Sequence, residues 1–576
     1  MKIKQKLMPI VEQQLNFMFK KNLDTQRVRN YCSIISDIVT IGKIKPSEQN
    51  HTTPIVYNRS GTYSYSTFIK KDQSLGDVSI KDHMTKKKTA ITPTREQNYS
   101  EWYQQVISVA ELAENSAVRG CMVIKPWGYG IWEKIQSILD KQLKATGCSN
   151  AYFPLLIPLS YLEKEAQHVE GFAKECAVVT HHRLEVNEQG KLIPASPLAE
   201  PLIIRPTSET IIGETFSKWI KSHRDLPLLI NQWANVMRWE MRPRLFLRTS
   251  EFLWQEGHTV HQNSEEAVTQ TLKILDLYEN FLKNTLAIHV VKGRKTISER
   301  FPGAIDTYTI EAMMQDKKAL QVGTSHFLGQ NFSKSHKIQF TDANQKTNFG
   351  WTTSWGVSTR LIGGLIMSHS DDNGLILPPK ISPYQIVIIP IFVNDKTISY
   401  CTKLQKEISA KTFSNSNITV HIDLKDIRSG EKFWYWVTKG IPLIVQIGDR
   451  ELSSNIIKYI DRTSDLNGEF LSYEEFVSSS SKLLTTIQDT LLIRSQNLFN
   501  NNICTLHNLK DFKAYFESKN PGFVTCFAID SPKIEECIKP IGVSTRCILD
   551  DNKDDMGSCI FTGEKTSKKI IFAKAY

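Results

Sequence analysis

Apolar residues recur along this chain with two different periods, and the changes of period mark out its organisation. In Leu228–His261 apolar and polar positions alternate, give way to a basic stretch around Arg242 and Arg244, and then alternate again. Alternation is the signature of a half-buried strand, so two antiparallel strands joined by a basic loop are expected. The first strand would carry Arg238 and Glu240 on one face, and the second Trp254, Glu256 and His258. Asn263, with Glu266 three residues later, predicts a helix start; Val268, Leu272, Leu275 and Leu282 would form the buried face. From Tyr384 the text changes to strand–helix–strand. YQIVIIPIFV, NITVHIDL and IPLIVQIG read as buried strands of a small α/β domain of roughly 100 residues. Pro378, Pro379 and Pro383 mark the boundary before it. From Lys43 to Thr94 the chain is polar with little apolar periodicity, and poor order is expected there. Met84 opens a natural start, which leaves residues 1–83 as an appendage or a misassigned start.

Composition narrows the class. A chain of 576 residues is too long for one core and suits about three or four domains. No stretch approaches the roughly 18 apolar residues of a membrane span, and the basic amino end lacks a continuous apolar segment, so neither a membrane nor a secretory role is expected. The formal net charge of +11 permits a polyanionic partner, since phosphates are neutralised by Lys and Arg. Ten cysteines without any CxxC pair suit a reducing, cytoplasmic setting.

Phosphate loops, dinucleotide-binding glycine motifs, nucleophile elbows and HExxH motifs are absent from the text. ATP, if used, must therefore be held by side chains, chiefly Arg, with magnesium. Mixed aromatic and charged residues on the paired strands suit a pocket better than a solvated face of surface ion pairs. RPTSET puts Thr207, Ser208 and Glu209 where a helix could begin, and a plain helix cap is the competing explanation. QVGTSHFLGQNF alternates as a cavity-lining strand might; its lone His326 is by default a satisfied core histidine. Arg360 leads into an apolar helix whose Gly363 and Gly364 allow close packing.

Taken together these segments resemble the three motifs of class II aminoacyl-tRNA synthetases. ATGCSNAYFPLLIP, with Gly147 and Pro154, is similar to the dimer-forming first motif; NVMRWEMRPRLFLRTSEFLWQEGH and SWGVSTRLIGGLIM are similar to the second and third. RPTSE, RWE, FLWQEGH, VVKGRKT, GTSHFLGQNF and the terminal FAKAY resemble the prolyl members of archaeal and eukaryotic architecture, over about Tyr99–Tyr576. The implied fold class is a multidomain α+β and α/β chain: an antiparallel-sheet catalytic domain (96–380), an α/β anticodon-binding domain (381–485) and a small α+β carboxy-terminal domain (486–576), after an extension (1–95).

The resemblance implies ATP, Mg2+, L-proline and tRNA(Pro) as ligands, a homodimer, and two steps through prolyl-adenylate. By motif, Arg238 would bridge the proline carboxylate and α-phosphate. Glu240, Arg248, Thr249 and Arg360 would hold ATP, with Gln321 and Thr324 near ATP and magnesium. Thr207 and Glu209 would take the proline nitrogen, and Trp254, Glu256, Phe301, His326 and Ser354 would shape the pocket. Such a pocket discriminates small side chains weakly, so alanine is a candidate second substrate. Only about ninety residues separate the second and third motifs, too few for the editing domain of bacterial-type relatives. Lys432, Phe433, Trp436, Lys439 and Arg450 match the anticodon-reading motif, although Val437, Ile444 and Gln446 replace its Glu, Arg and Glu. Relatives bind zinc through four cysteines; here Cys526 and Cys559 remain while Thr562 and Ser531 or Lys533 stand at other ligand positions, so no zinc is expected. Two readings compete with the prolyl enzyme. A threonyl enzyme would need a zinc-binding Cys and two His in the pocket, and the candidate strands hold no cysteine. A catalytically silent paralogue would have lost Arg238, Glu240 or Arg360, and all three are present.

Overall fold

The computed structural model describes residues 89–165, 175–549 and 555–576. The expected appendage 1–83 and the candidate start at Met84 lie outside the described residues.

The described chain opens with α1 (Tyr99–Val109) and α2 (Pro126–Ala145). A long hairpin of β1 (Ala177–Val186) and β2 (Leu192–Ile204) leads to α3 (Glu209–Trp219). Next come β3 (Leu228–Met237) and β4 (Glu251–His261), antiparallel with Gln232 opposite Glu256. Arg238 and Glu240 are not on β3 as expected. The strand ends at Met237, and both residues lie in the connection, tethered where Arg238 N–H donates to Ser250 O at 2.7 Å.

Helix α4 (Ser264–Asn284) begins where the cap predicted, with Asn263 Oδ1 accepting from Glu266 N–H at 2.9 Å. Its buried face is rotated from the expected one. Leu275 and Leu282 are buried as expected, together with Ala267, Thr271, Ile274 and Tyr278, whereas Leu272 is exposed and Val268 half-buried. Thr271, a polar member of that face, is satisfied inside the core: Thr271 Oγ1 donates to Ala267 O, and Thr271 O accepts from Ser325 Oγ, both at 2.8 Å. A hydrophobicity pattern cannot register such residues as interior.

The sheet continues with β5 (Val290–Arg294), β6 (Asp306–Met313), β7 (Ala319–Gly329) and β8 (Trp351–Ser358), and α5 (Arg360–His369) follows. In β4, Gly257 faces Trp355 across the pair; a Cβ there would meet the indole at 2.0 Å. The α/β domain has β9 (Ile386–Pro390), β10 (Val420–Ile422), α6 (Ser429–Thr438), β11 (Leu443–Ile447), β12 (Ile456–Asp461) and β13 (Glu469–Ser472). Its sheet order is β10-β9-β11-β12-β13, parallel for the first three strands and antiparallel beyond.

The expected boundary at 485/486 does not exist as a break, because α7 (Tyr473–Asn500) runs through it. Nor do residues 486–576 form a separate sheet. β14 (Ile503–Thr505), β15 (Phe523–Phe527), β16 (Ser544–Ile548) and β17 (Lys569–Ala573) join β5 through β16. The result, among the described residues, is one eleven-stranded sheet ordered β14-β15-β17-β16-β5-β6-β7-β8-β4-β3, with the short strand Ser149–Asn150 at the far edge. The carboxy-terminal segment thus extends the sheet that carries the site.

Candidate active site

The site is built on the face of β4, β6, β7 and β8. β4 alternates as predicted and brings Trp254, Glu256 and His258 to one cavity of about 350 Å³. β7 contains a bulge, because Gly323 pairs with Ile310 but Gln321 with Glu311. The extra residue switches the side on which side chains project. Gln321 therefore joins Thr324 and His326 in the same cavity, although a regular strand would put Gln321 on the opposite face. Ser354 on β8, Phe301 from the β5–β6 connection and Thr207 and Glu209 at the start of α3 complete the lining.

Ser208 occupies the cap position of α3, yet no side-chain cap bond is made there. Its hydroxyl instead donates to Glu256 Oε1 at 2.6 Å, and Thr207 Oγ1 donates to Glu209. The plain-cap explanation of RPTSET therefore does not hold. Glu256, 2% exposed, accepts also from Gln232 Nε2 at 2.7 Å and lies 3.0 Å from His258 Nε2. A buried carboxylate is costly unless hydrogen-bonded in this way. Beside it the Phe301 and His326 rings stand 4.7 Å apart. Burial, with the nearby His258 charge, holds His326 down to about 3, so its ring is neutral and contributes an apolar wall bonded to Thr307 Oγ1 at 3.0 Å. The Ser354 hydroxyl and Trp254 indole N–H are buried without a partner among the described residues.

Arg238 stands where this chamber opens into a second of about 640 Å³, lined also by Glu240, Arg248, Thr249, Gln321 and Arg360. Arg238 Nε donates to Pro206 O at 2.7 Å, and its guanidinium lies 5.8 Å from the Phe252 and Trp254 rings. Burial lowers its pKa, opposed by the charges of Glu209 and Glu256. Arg360 is pulled down to about 10 by burial and by the neighbouring Arg248 and Arg238 charges, which marks a strongly cationic chamber. A third recess of about 260 Å³ shares Arg360, Arg248 and Tyr576 with the second and adds Arg242, Arg244 and Lys318.

All the catalytic, proline and ATP candidates thus lie in two adjoining chambers. Sequence reasoning missed Phe252 and Lys295, and left unassigned Ser208, which RPTSET had marked, and His258, which its alternation with Glu256 had marked. Arg546, from β16, reaches the second chamber's wall from 186 residues beyond Arg360, a difference of the two residue numbers, and no local pattern signals it.

Residues 192–369 match the tRNA synthetase class II core domain (G, H, P, S and T), and residues 385–482 match an anticodon binding domain. A proline–tRNA ligase from Bdellovibrio bacteriovorus is 55% identical over 497 residues, 85% of this chain and 99% of its own length. One from Rhodopirellula baltica is 52% identical over 504 residues, 86% of this chain and 99% of its own. The chain belongs to the proline–tRNA ligase family. The solved prolyl-tRNA synthetase of Cryptosporidium parvum, complexed with halofuginone and AMPPNP, matches with a TM-score of 0.77 at 35% identity, over 84% of this chain and 97% of its own.

For this proline–tRNA ligase family member, three of the five anticodon-motif candidates need correction. Lys432 is 1% exposed and donates to Asp423 O at 3.0 Å; buried Trp436 donates through Nε1 to Asp423 Oδ2 at 2.8 Å. Lys439 is 2% exposed, with Nζ donating to Ala110 O at 2.8 Å and to Glu111. All three are buried and already bonded, Lys432 and Trp436 within the domain and Lys439 across to the catalytic unit. Phe433 is half-buried and Arg450 is exposed.

The ligase pocket also carries a pH signature. Burial pulls the His258 imidazole down, but the hydrogen bond and charge of Glu256, with the charge of Glu209, push it up by more. The folded value exceeds the usual 6.5. Its stabilisation is therefore full below that value and lost as pH rises through the raised one. His258→Gln should cost more stability in urea unfolding at about pH 6 than at about pH 9. Equal losses at both would sink the ion pair.

Proposed function

We infer that the chain activates L-proline with ATP to prolyl-adenylate and passes the prolyl group to tRNA(Pro), releasing AMP and diphosphate. The observation that carries this is the meeting, at Arg238, of a small anionic–aromatic chamber with a larger cationic one. The secondary ammonium of proline finds Glu209 and Thr207, a carboxylate being the natural partner of a buried cation. Its ring packs against Trp254, Phe301 and neutral His326, and the unpartnered Ser354 and Trp254 groups offer hydrogen bonds. The proline carboxylate faces Arg238. That carboxylate is already a nucleophile, so its oxygen attacks the α-phosphorus without a base as the bond to the diphosphate breaks. Arg238 and Arg360 offset the charge developing there. In the second step a terminal ribose hydroxyl of the tRNA attacks the prolyl carbonyl and AMP leaves.

Among the described residues no group of three or more His, Cys, Asp or Glu could cage a metal. The donor set fits a magnesium that arrives on ATP phosphates, with Gln321 as a protein oxygen. Zinc does not fit. Cys526 and Cys559 pack with Phe512 and Phe572 in an apolar cluster where burial, then the neighbouring Cys559, raises the Cys526 thiol; Cys547 packs in another cluster. A homodimer is supported by the exposed apolar Tyr152 and Leu156 of the first motif, and a cytoplasmic setting by the buried thiols of Cys401, Cys526 and Cys547. No helix among the described residues is long and apolar enough to cross a membrane.

The test is amino-acid-dependent pyrophosphate exchange with each of the twenty amino acids. Strong exchange with proline, and little with others except alanine, supports the reading. No exchange in folded protein that still binds tRNA would leave only a silent paralogue.

The anticodon engages the carboxyl ends of β9, β10 and β11, where Phe392, Val393, Leu424 and Ile427 are exposed and Arg450 lies over the Phe470 ring at 5.7 Å. Open parallel sheets bind ligands at that edge. Arg450→Ala should raise the KM for tRNA about tenfold, the scale of one stacked base, and leave proline-dependent exchange unchanged. An unaltered KM would move the surface elsewhere.

A further inference from the structure

Arg462 follows β12, in the α/β domain, and its side chain is fully buried. Its Nη1 and Nη2 donate to the two carboxylate oxygens of Asp371, at 2.9 and 2.6 Å. Asp371 lies just beyond the carboxyl end of α5, the helix that begins with Arg360. The same guanidinium donates through Nη2 to Gly374 O at 3.3 Å and through Nε to Val437 O, in α6, at 3.1 Å. One planar fork therefore grips the loop after the active-site helix and the last turn of α6 together.

The end of α6 is held from both sides. Leu375 N donates to Thr438 O and Leu377 N to Gly440 O, each at 3.1 Å. Gly374, at φ +124°, lets this loop approach; a Cβ there would meet Thr438 Cα at 2.7 Å. On the other side Lys439 bonds Ala110 O and Glu111, and Lys439 O accepts from Trp127 Nε1 at 3.0 Å. The amino end of α6 belongs to the exposed edge, with exposed Arg428 before it, and Trp434, midway along the helix, is 43% exposed.

α5 is a stiff connector. Every residue of it except Arg360 and Ser368 is buried, and a Cβ at Gly363 would meet Leu247 at 2.6 Å and the Tyr103 hydroxyl at 2.9 Å. Ten residues of helix span about 15 Å. Arg360 is at one end and Asp371 just past the other. The adjacent Asp372 instead bonds Arg95 within the catalytic unit, at 2.8 Å from the Arg95 N–H. Asp371 is thus the carboxylate this loop gives to the α/β domain.

We propose that Arg462 is a positioning residue that, through Asp371 and α5, sets Arg360 according to how the anticodon-binding domain is engaged. A bidentate fork transmits orientation, where a lone ammonium supplies only charge. RNA bound at the β9–β11 edge meets the amino end of α6, and the Arg462 clamp ties the carboxyl end of α6 to the helix of Arg360. The inference rests on the tRNA-charging reading above.

The experiment uses the full chain with Arg462→Lys and, separately, Asp371→Asn. It measures aminoacylation of full-length tRNA(Pro) and of an acceptor-stem minihelix lacking the anticodon, with tRNA-free proline-dependent exchange alongside. Both variants should lose about tenfold or more in kcat on full-length tRNA, while its KM, minihelix charging and exchange stay within about twofold. An equal fall on tRNA and minihelix, as misfolding or a merely structural role would give, overturns the proposal. So does an unchanged kcat on full-length tRNA. Absence of proline-dependent exchange in the unmodified chain would remove the tRNA-charging reading itself, and the proposal with it.

Discussion

Glu311→Gln should destabilise the chain by about 3–5 kcal/mol in urea unfolding, the cost of removing one partner from a buried charge cluster. Glu311 is fully buried on β6, at the bulge where β7 presents Gln321. It accepts from Lys295 Nζ at 3.1 Å, from Arg546 Nε and Nη2 at 3.1 and 2.8 Å, and from Thr309 Oγ1 at 2.9 Å. Glutamine keeps the shape and removes the charge, which leaves Lys295 and Arg546 as buried cations without their anion. Burial pushes the Glu311 carboxyl up, but Lys295 and Arg546 pull it down by more, and the net value lies below the usual 4.5. Its stabilisation is therefore present above that pH and lost as pH falls through the lowered value. The gap between wild type and variant should close in acid. Arg546 belongs to the carboxy-terminal segment, so early proteolysis of that segment is also expected in the variant. A loss below about 1 kcal/mol at neutral pH would show that the cluster only breaks even against its own desolvation.

Arg238→Lys should lower proline-dependent pyrophosphate exchange by about a hundred- to a thousandfold, the scale of losing one preorganised donor to developing charge. The bond from Nε to Pro206 O fixes the plane of the guanidinium between the two chambers. Lysine keeps the positive charge but presents one rotatable ammonium in place of a fork that can serve carboxylate and phosphate together. Stability should change little, because lysine keeps the positive charge beside Glu209 and Glu256. A fall of less than about tenfold would place the bridging role on another cation, with Arg360 the first candidate.

Much of the site was legible in the text, for a physical reason. Strand alternation reports which side chains share a face, and β4 delivered Trp254, Glu256 and His258 together. Helix capping is equally local, and Asn263 capped α4 as read. The apolar runs gave β9 and β11, which are covered on both faces, whereas β10, also read as buried, lies at the sheet edge and is only half-buried. Resemblance to the family motifs, not any local pattern, singled out Arg238 and Arg360, and the fold brings them beside one chamber although they are 122 residues apart by their numbers.

Only the tertiary structure decided the rest. A single bulge in β7 chose the side on which Gln321 lies, and nothing in its neighbours specifies a bulge. Lys432 and Lys439 look like solvent-facing cations in sequence, yet carbonyls of Asp423 and Ala110 draw both inside. The face of α4 turned because polar Thr271 found partners in the core. Residues 486–576 read as a separate domain but extend the catalytic sheet, tied to it by Arg546 and Glu311, 235 residues apart. Local patterns record which face of an element is apolar and where it starts and stops. Which distant group will satisfy a buried charge is settled only when the chain closes on itself, and there the sequence by itself falls silent.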